Sequence, residues 1–219
     1  PGGNTGLCVR SIHRWLCVGR SFSQGRRQLF VFGSKAHFFL FDRHLTRSIS
    51  QSYHHLIAYV GGLPNELRMV RLGSDVLPVY TQRDWSYFWR KPDVVAYCEK
   101  YFAIVGEAAR AYDVRLSMHP GQFTVLASDN PEIVERSIEE FEYHTDVIRW
   151  MGYGKTFQDF KCNVHISGRQ GPAGIKHAVD NRLSPEARNT ITIENDENKW
   201  GLEHSLELVD TCALVLDIH

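Results

Sequence analysis

Amphipathic helical segments and short apolar runs alternate along the chain from residue 69 onward. Between residues 94 and 111, apolar residues recur at three- and four-residue steps, which predicts a helix with one buried face. A second helix is predicted to begin after Asn130, a capping residue that Pro131 follows, and to end at Gly152. Shorter helices are predicted at residues 53–59, 174–182 and 202–209.

Five short apolar runs predict strands. They lie at residues 69–72, 114–118, 162–166, 190–193 and 213–216. Strands that alternate with helices favour parallel βα units, in either an open doubly wound sheet or a TIM-barrel-like fold. Because no GxGxxG or GxxxxGK(S/T) motif follows a strand, we expect no nucleotide cofactor, and the barrel is favoured.

The predicted fold is therefore α/β and TIM-barrel-like, with an incomplete barrel. A complete barrel takes about 250 residues. The chain has 219 residues and stops just after the apolar run 214–216, so we expect a fragment that lacks roughly two C-terminal βα units. We assign this domain to residues 51–219 and leave residues 1–50 unplaced.

The unplaced segment 1–50 is basic, with eight Lys or Arg residues against one acid, Asp42. Such a segment is compatible with a phosphate contact or with a solvated arm. The whole chain has zero formal net charge and indicates neither a nucleic-acid nor a membrane partner. The sequence holds no apolar run of the roughly 18 residues that a membrane helix needs. Its five cysteines form no CxxC pair, which favours reduced thiols in an intracellular protein. We also expect the protein to be a monomer.

Four successive predicted strands end in a residue that can bind a metal: His119, His165, Glu194 and Asp217. In a parallel barrel the carboxyl ends of all strands meet at one rim, where active sites form. Imidazole and carboxylate together suit Zn, Mn, Fe or Mg. His219 lies two residues past Asp217 and belongs to the same neighbourhood.

Other polar residues are expected to be less involved. His144, His177 and His204 fall on predicted helices, where we expect solvent exposure. The segment 195–197 is interpreted as a solvated loop that caps the next helix. The glycine-rich loop 167–171 is a weak phosphate-binding signal, and the aromatic loop 80–89 is interpreted as a packed lid.

These residues resemble the UV damage endonucleases, also called UV damage repair endonucleases. The resemblance covers about residues 65–219. It rests on the segments 115–123 (RLSMHPGQF), 131–137 (PEIVERS), 163–165 (NVH), 193–196 (IEND) and 216–219 (LDIH).

The resemblance implies an incomplete TIM barrel related in architecture to endonuclease IV and xylose isomerase. It implies single-strand incision of duplex DNA on the 5′ side of cyclobutane dimers and 6-4 photoproducts. It also implies a cluster of divalent metals, with manganese expected and magnesium or zinc as alternatives. The catalytic metal ligands would be His119, His165, Glu194 and Asp217, joined by His219 as a further ligand.

By the same resemblance, Gln122 and Phe123 would enter the duplex at the lesion. The family usually has Tyr where this chain has Phe123, and often has a histidine near the position of Gln82.

Two other functions remain compatible with the pattern. A metal-dependent sugar isomerase or epimerase on the same barrel would use the same strand-end ligands without an aromatic wedge. A catalytically dead DNA-binding fragment would retain the wedge without the incision.

Overall fold

The computed structural model describes residues 35–121, 123–196 and 199–218, and the side chains of these residues from 46 onward. In this part of the chain, five strands alternate with seven α-helices and one short 3-10 helix. In chain order these are α1 (Lys35–Gly61), the 3-10 helix (Asn65–Leu67), β1 (Met69–Arg71), α2 (Ser86–Trp89), α3 (Pro92–Ala111), β2 (Arg115–Met118), α4 (Pro131–Trp150), β3 (Lys161–His165), α5 (Gly171–Asn181), α6 (Pro185–Thr190), β4 (Ile191–Glu194), α7 (Leu202–Leu206) and β5 (Ala213–Val215).

The five strands form one parallel sheet in the order β1-β2-β3-β4-β5. Neighbours in sequence are therefore neighbours in space, and each crossover between them contains at least one helix. The sheet of the described residues is open. This arrangement confirms the predicted α/β class built from parallel βα units.

The core lies between the sheet and the helices that pack on its outer face. Successive residues of a strand point to opposite faces. In β3, for example, Cys162 and Val164 are buried against the helices. Cys98, Cys162 and Cys212 are buried, and burial raises the pKa of Cys212 to about 12. Cys8 and Cys17 lie outside the described residues.

Helices α3 and α4 approach each other so closely that a glycine is required at the contact. A Cβ atom on Gly106 would lie 1.8 Å from the carbonyl oxygen of Met151. Helix α4 begins as its sequence predicts, because the Asn130 side chain accepts a hydrogen bond of 2.9 Å from the Glu132 amide. It is followed by Gly152 at φ +85°, a left-handed conformation that glycine adopts without strain.

Helix α1 is longer than the predicted helix at residues 53–59, since it begins at Lys35. Its inner face buries Ile49, Tyr53 and Ile57. The proposed division of the chain at residue 50 falls within this helix. Helices α2 and α6 were not predicted, because each is only one turn or slightly longer and neither displays a full helical period.

The expectation that His144 is exposed was wrong. Its side chain lies on the inner face of α4 with a relative exposure of 0%. The aromatic segment 80–89 packs against the same helix: the Tyr80 ring lies 4.7 Å from the Tyr143 ring and 5.6 Å from the Trp89 ring, measured between centroids. Within the described residues, no helix combines the length and apolar character needed to cross a membrane.

Candidate metal centre

The carboxyl ends of β2, β3 and β4 bring polar side chains together on the inner face of the sheet. In the register of β3 and β4, Asn163 pairs with Thr192, and His165 pairs with Glu194. Because residues two apart on a strand share a face, these four side chains form two adjacent layers. His119 directly follows β2 and joins the upper layer.

Three of the predicted metal ligands meet there. The Nε2 atom of His119 lies 3.4 Å from Oε2 of Glu194, and Nδ1 of His165 lies 4.0 Å from the same oxygen. One ligand atom from each of the three residues lies within 4.8 Å of the other two. The imidazole centroids are 5.0 Å apart and the ring planes are inclined at 61°. The His119 and Glu194 side chains are largely buried, at 12% and 11% exposure, whereas His165 is 40% exposed.

The His119 ring is oriented by its own turn. Its Nδ1 atom lies 2.7 Å from the Pro120 carbonyl oxygen. A carbonyl only accepts, so Nδ1 carries the proton and Nε2 presents its lone pair to the centre. A divalent transition ion binds the unprotonated nitrogen of an imidazole and the oxygen of a carboxylate. The hydrogen bond on the other ring nitrogen orients the imidazole for such binding.

The backbone of His119 is anchored to helix α4 through a chain of hydrogen bonds. Ser74 donates its hydroxyl to the His119 carbonyl, and the Tyr143 hydroxyl donates to the Ser74 carbonyl at 2.9 Å. The same Tyr143 oxygen accepts from the amides of Val76 and Leu77 at 3.1 and 3.0 Å. Complete burial raises the Tyr143 pKa, so this group remains a neutral hydroxyl that both donates and accepts.

The Glu194 carboxylate is held by the layer below it. The side-chain NH₂ group of Asn163 donates a hydrogen bond to Oε2 of Glu194. The Thr192 hydroxyl in turn donates a hydrogen bond of 3.0 Å to Oδ1 of Asn163. Neither Asn163 nor Thr192 was predicted as a site residue. The signal for them was their spacing, because each lies two residues before a ligand on the same strand.

Asp217 does not join the group of three. It lies two residues beyond Val215, which pairs with Glu194 in the register of β4 and β5, so its backbone sits about 6–7 Å further along the strand direction. Asn195 clasps this backbone: Asp217 donates its amide to Oδ1 of Asn195 at 2.8 Å and accepts from Nδ2 at 3.1 Å. Asn195 is therefore a buried positioning group, and the prediction of a solvated loop was wrong for this residue.

The predicted DNA-contacting loop begins next to the metal group. Phe123 is 84% exposed, and a Cβ atom on Gly121 would meet no atom within 4 Å. Gln122 and His219 lie outside the described residues, so their assignments, like that of Asp217, stay predictions.

A groove of about 910 Å³ runs beside Phe123. Its walls carry two arginines and several acids, among them Arg83, Arg136, Asp84 and Glu139. Gln82 also lines this groove. The groove is open to solvent and is lined by parts of the segment after β1, the loop after β2 and helix α4.

Comparisons with known proteins bear on this geometry. The UV-damage endonuclease of Schizosaccharomyces pombe is 27% identical over 162 residues, which are 70% of this chain and 26% of that protein. The UV DNA damage endonuclease of Clostridium perfringens is 28% identical over 152 residues, 67% of this chain and 34% of that protein. That of Bacillus velezensis is 26% identical over 175 residues, 77% of this chain and 50% of that protein. The chain thus spans between 26% and 50% of the length of these relatives.

A solved crystal structure of SacUVDE matches the fold with a TM-score of 0.68 at 20% identity, over 89% of this chain and 64% of that chain. This match confirms the TIM-barrel-like architecture. A sequence profile described as UV-endonuclease UvdE matches residues 43–219. Since that range is most of the polypeptide, the chain belongs to the UV-endonuclease UvdE family.

Proposed function

We propose that this protein is a metal-dependent DNA repair endonuclease that nicks duplex DNA on the 5′ side of UV photoproducts, both cyclobutane dimers and 6-4 products. It is, in this proposal, a hydrolase of phosphodiester bonds that acts inside the cell as a monomer. The observation that carries the proposal is the group of His119, His165 and Glu194 at three adjacent strand ends, in a chain of the UvdE family.

The donor set fits a divalent ion, and manganese is the ion that we propose. When bound, such an ion stabilises negative charge on the oxygens of the phosphodiester. His119 and His165 hold it through neutral ring nitrogens, and Glu194 supplies the negative charge. We propose Asp217 and His219 as further ligands, since the Asn195 clasp fixes the Asp217 backbone at the same rim.

We further propose that Gln122 and Phe123 enter the duplex at the lesion. An aromatic side chain exposed to 84% at a protein surface is suited to stack on bases. A photodimer weakens stacking, so opening the damaged step costs a few kcal/mol less than opening an intact step. Recognition would then rest on deformability and not on base-edge contacts.

The incision is tested with supercoiled plasmid, irradiated or not, incubated with Mn²⁺ and the protein expressed from its whole reading frame. We expect nicking of the irradiated plasmid only. His119→Ala should abolish nicking, and His177→Ala, on the exposed face of α5, is the matched control that should nick normally. If His119→Ala nicked at the unsubstituted rate, the metal centre would be misassigned. Damage-dependent binding without nicking would favour the DNA-binding module, and turnover of free sugars would favour the isomerase.

The wedge is tested separately with Phe123→Ala. Phe157, 65% exposed, precedes β3 and so lies at the opposite end of the sheet. Phe157→Ala is therefore a control for the loss of any exposed aromatic ring. We expect Phe123→Ala to weaken binding to irradiated duplex by about 10-fold or more, on the scale of one lost stacking contact, and binding to intact duplex much less. An equal loss on both duplexes would exclude the wedge.

A further inference from the structure

One carboxylate oxygen at the metal centre is shared by three nitrogen-bearing side chains. Oε2 of Glu194 faces Nε2 of His119 at 3.4 Å and Nδ1 of His165 at 4.0 Å. The same oxygen accepts a hydrogen bond from the amide nitrogen of Asn163. The conformation of Glu194 at the centre therefore depends on a residue that does not itself face the centre.

The orientation of the Asn163 amide follows from its two neighbours. An ionised carboxylate only accepts hydrogen bonds, so the end of the amide that meets Glu194 must be the NH₂ group. The oxygen end then faces the Thr192 hydroxyl at 3.0 Å, and that hydroxyl must donate. The chain of donors runs in one direction, from Thr192 through Asn163 to Glu194.

The sheet fixes this chain in place. Asn163 and Thr192 are paired across β3 and β4, as are His165 and Glu194 one layer above. Thr192 is 1% exposed and Glu194 is 8% exposed, so little water is available to replace either hydrogen bond. In such surroundings a lost donor leaves a buried acceptor without a partner, which costs far more than the same loss at a surface.

We propose that Asn163 is a positioning residue for the metal centre, and that the Thr192 hydroxyl holds the Asn163 amide in place. Asn163 occupies one lone pair of Oε2 and turns the carboxylate so that the other lone pair points between the two imidazoles. Without the Thr192 hydroxyl, Oδ1 of Asn163 loses its donor, and the amide is no longer held against Glu194 from the other side. This inference rests on the proposed role of His119, His165 and Glu194 as metal ligands.

The test measures Mn²⁺ affinity directly, without the reaction. Free Mn²⁺ is followed by electron paramagnetic resonance during titration of the apoprotein. Removal of a group that orients a metal ligand typically weakens metal binding by about 10- to 100-fold. We expect a loss in this range for Asn163→Ala, and a loss of about 10-fold for Thr192→Val, in which the amide is still present but is no longer held in place by the hydroxyl.

A matched pair at position 192 separates the hydroxyl from packing. Thr192→Val retains the volume of the side chain and removes the hydroxyl, whereas Thr192→Ser retains the hydroxyl and removes a methyl group. Both variants should unfold at lower urea concentration than the unsubstituted protein when measured in EDTA. We expect only Thr192→Val to lose Mn²⁺ affinity, and Thr192→Ser to bind within about threefold of the unsubstituted protein. A purely structural role would weaken binding in both.

The His119→Ala variant distinguishes failure of this inference from failure of the proposed function. If His119→Ala loses Mn²⁺ binding while Thr192→Val and Asn163→Ala bind like the unsubstituted protein, the positioning role is overturned and the metal centre stands. If His119→Ala binds Mn²⁺ like the unsubstituted protein, or the unsubstituted protein binds none, the metal centre itself is overturned and the positioning role with it.

Discussion

His144 should make the protein sensitive to mild acid, and His144→Leu should remove that sensitivity. The imidazole is fully buried on the inner face of α4. Its Nδ1 atom donates to the Glu140 carbonyl at 2.7 Å, and its Nε2 atom has no partner. Burial lowers the His144 pKa to about 4, against the opposing effects of the hydrogen bond to the Glu140 carbonyl and of Asp75.

The magnitude follows from the difference between the folded and unfolded pKa values. An unfolded histidine titrates near pH 6.5. Between pH 6.5 and pH 4 the unfolded chain therefore binds a proton that the folded protein does not, and stability falls as the pH falls. At pH 7 the imidazole is neutral in both states and contributes almost nothing. From pH 7 to pH 5 this one site lowers the free energy of unfolding by about 2 kcal/mol, rising to about 3 kcal/mol below pH 4.

The assay is urea unfolding at pH 7 and pH 5 in EDTA, so that metal binding does not contribute. The unsubstituted protein should lose about 2 kcal/mol more than His144→Leu between these two pH values. His177→Asn, at an exposed position of α5, is the control and should lose as much as the unsubstituted protein. If His144→Leu lost stability equally between pH 7 and pH 5, the buried imidazole would not be the cause.

Three further predictions concern packing and positioning. Gly106→Ala should lower the free energy of unfolding by about 3 kcal/mol in urea, because the added methyl group meets the Met151 carbonyl; a loss below about 0.5 kcal/mol would mean that α3 can move aside. Asn130→Ala should cost about 1 kcal/mol in the same assay through loss of the α4 cap, and an unchanged unfolding curve would contradict this. Asn195→Ala removes both the Oδ1 atom that accepts from the Asp217 amide and the Nδ2 donor that meets the Asp217 carbonyl. The Asp217 amide should then exchange its hydrogen about 10-fold faster or more, as a lost buried hydrogen bond implies, and unchanged exchange would exclude the clasp.

The strands and the convergence of three ligands were predictable because both follow from one sequence pattern, the alternation of apolar runs with helices. Short apolar runs that alternate with helices indicate parallel strands, and parallel strands place their carboxyl ends at one rim. His119, His165 and Glu194 each follow or end such a run. Their meeting requires no knowledge of loop structure.

Asp217 shows where this reasoning stops. A strand end is known from sequence only to within a few residues, and the register between strands is not known at all. Pairing of Val215 with Glu194 places Asp217 beyond the layer that holds the other ligands. The sequence alone does not give that offset, because the offset follows from the register between β4 and β5.

The burial of His144 could have been predicted from its position along helix α4. It lies three residues after Phe141 and four before Ile148, both of which are fully buried, so helical periodicity alone places it on the inner face. Histidine is intermediate in its tendency to be buried, so its position on the helix decides whether the side chain is exposed.

Asn163 and Thr192, the polar groups that support Glu194, are harder to predict because an amide and a hydroxyl do not by themselves indicate a metal site. The interior of a parallel barrel is normally filled with layers of branched apolar side chains. Beneath the ligands of this chain, the same layer holds Asn163 and Thr192, a hydrogen-bonded amide and hydroxyl. A buried polar layer of this kind contributes less to stability than well-packed Val or Ile would. Its presence under Glu194 is therefore explained better by the orientation of the carboxylate than by the stability of the sheet. Spacing by two residues from a ligand on a strand is the rule that would have found both groups, since it selects the side chains that share the ligand's face.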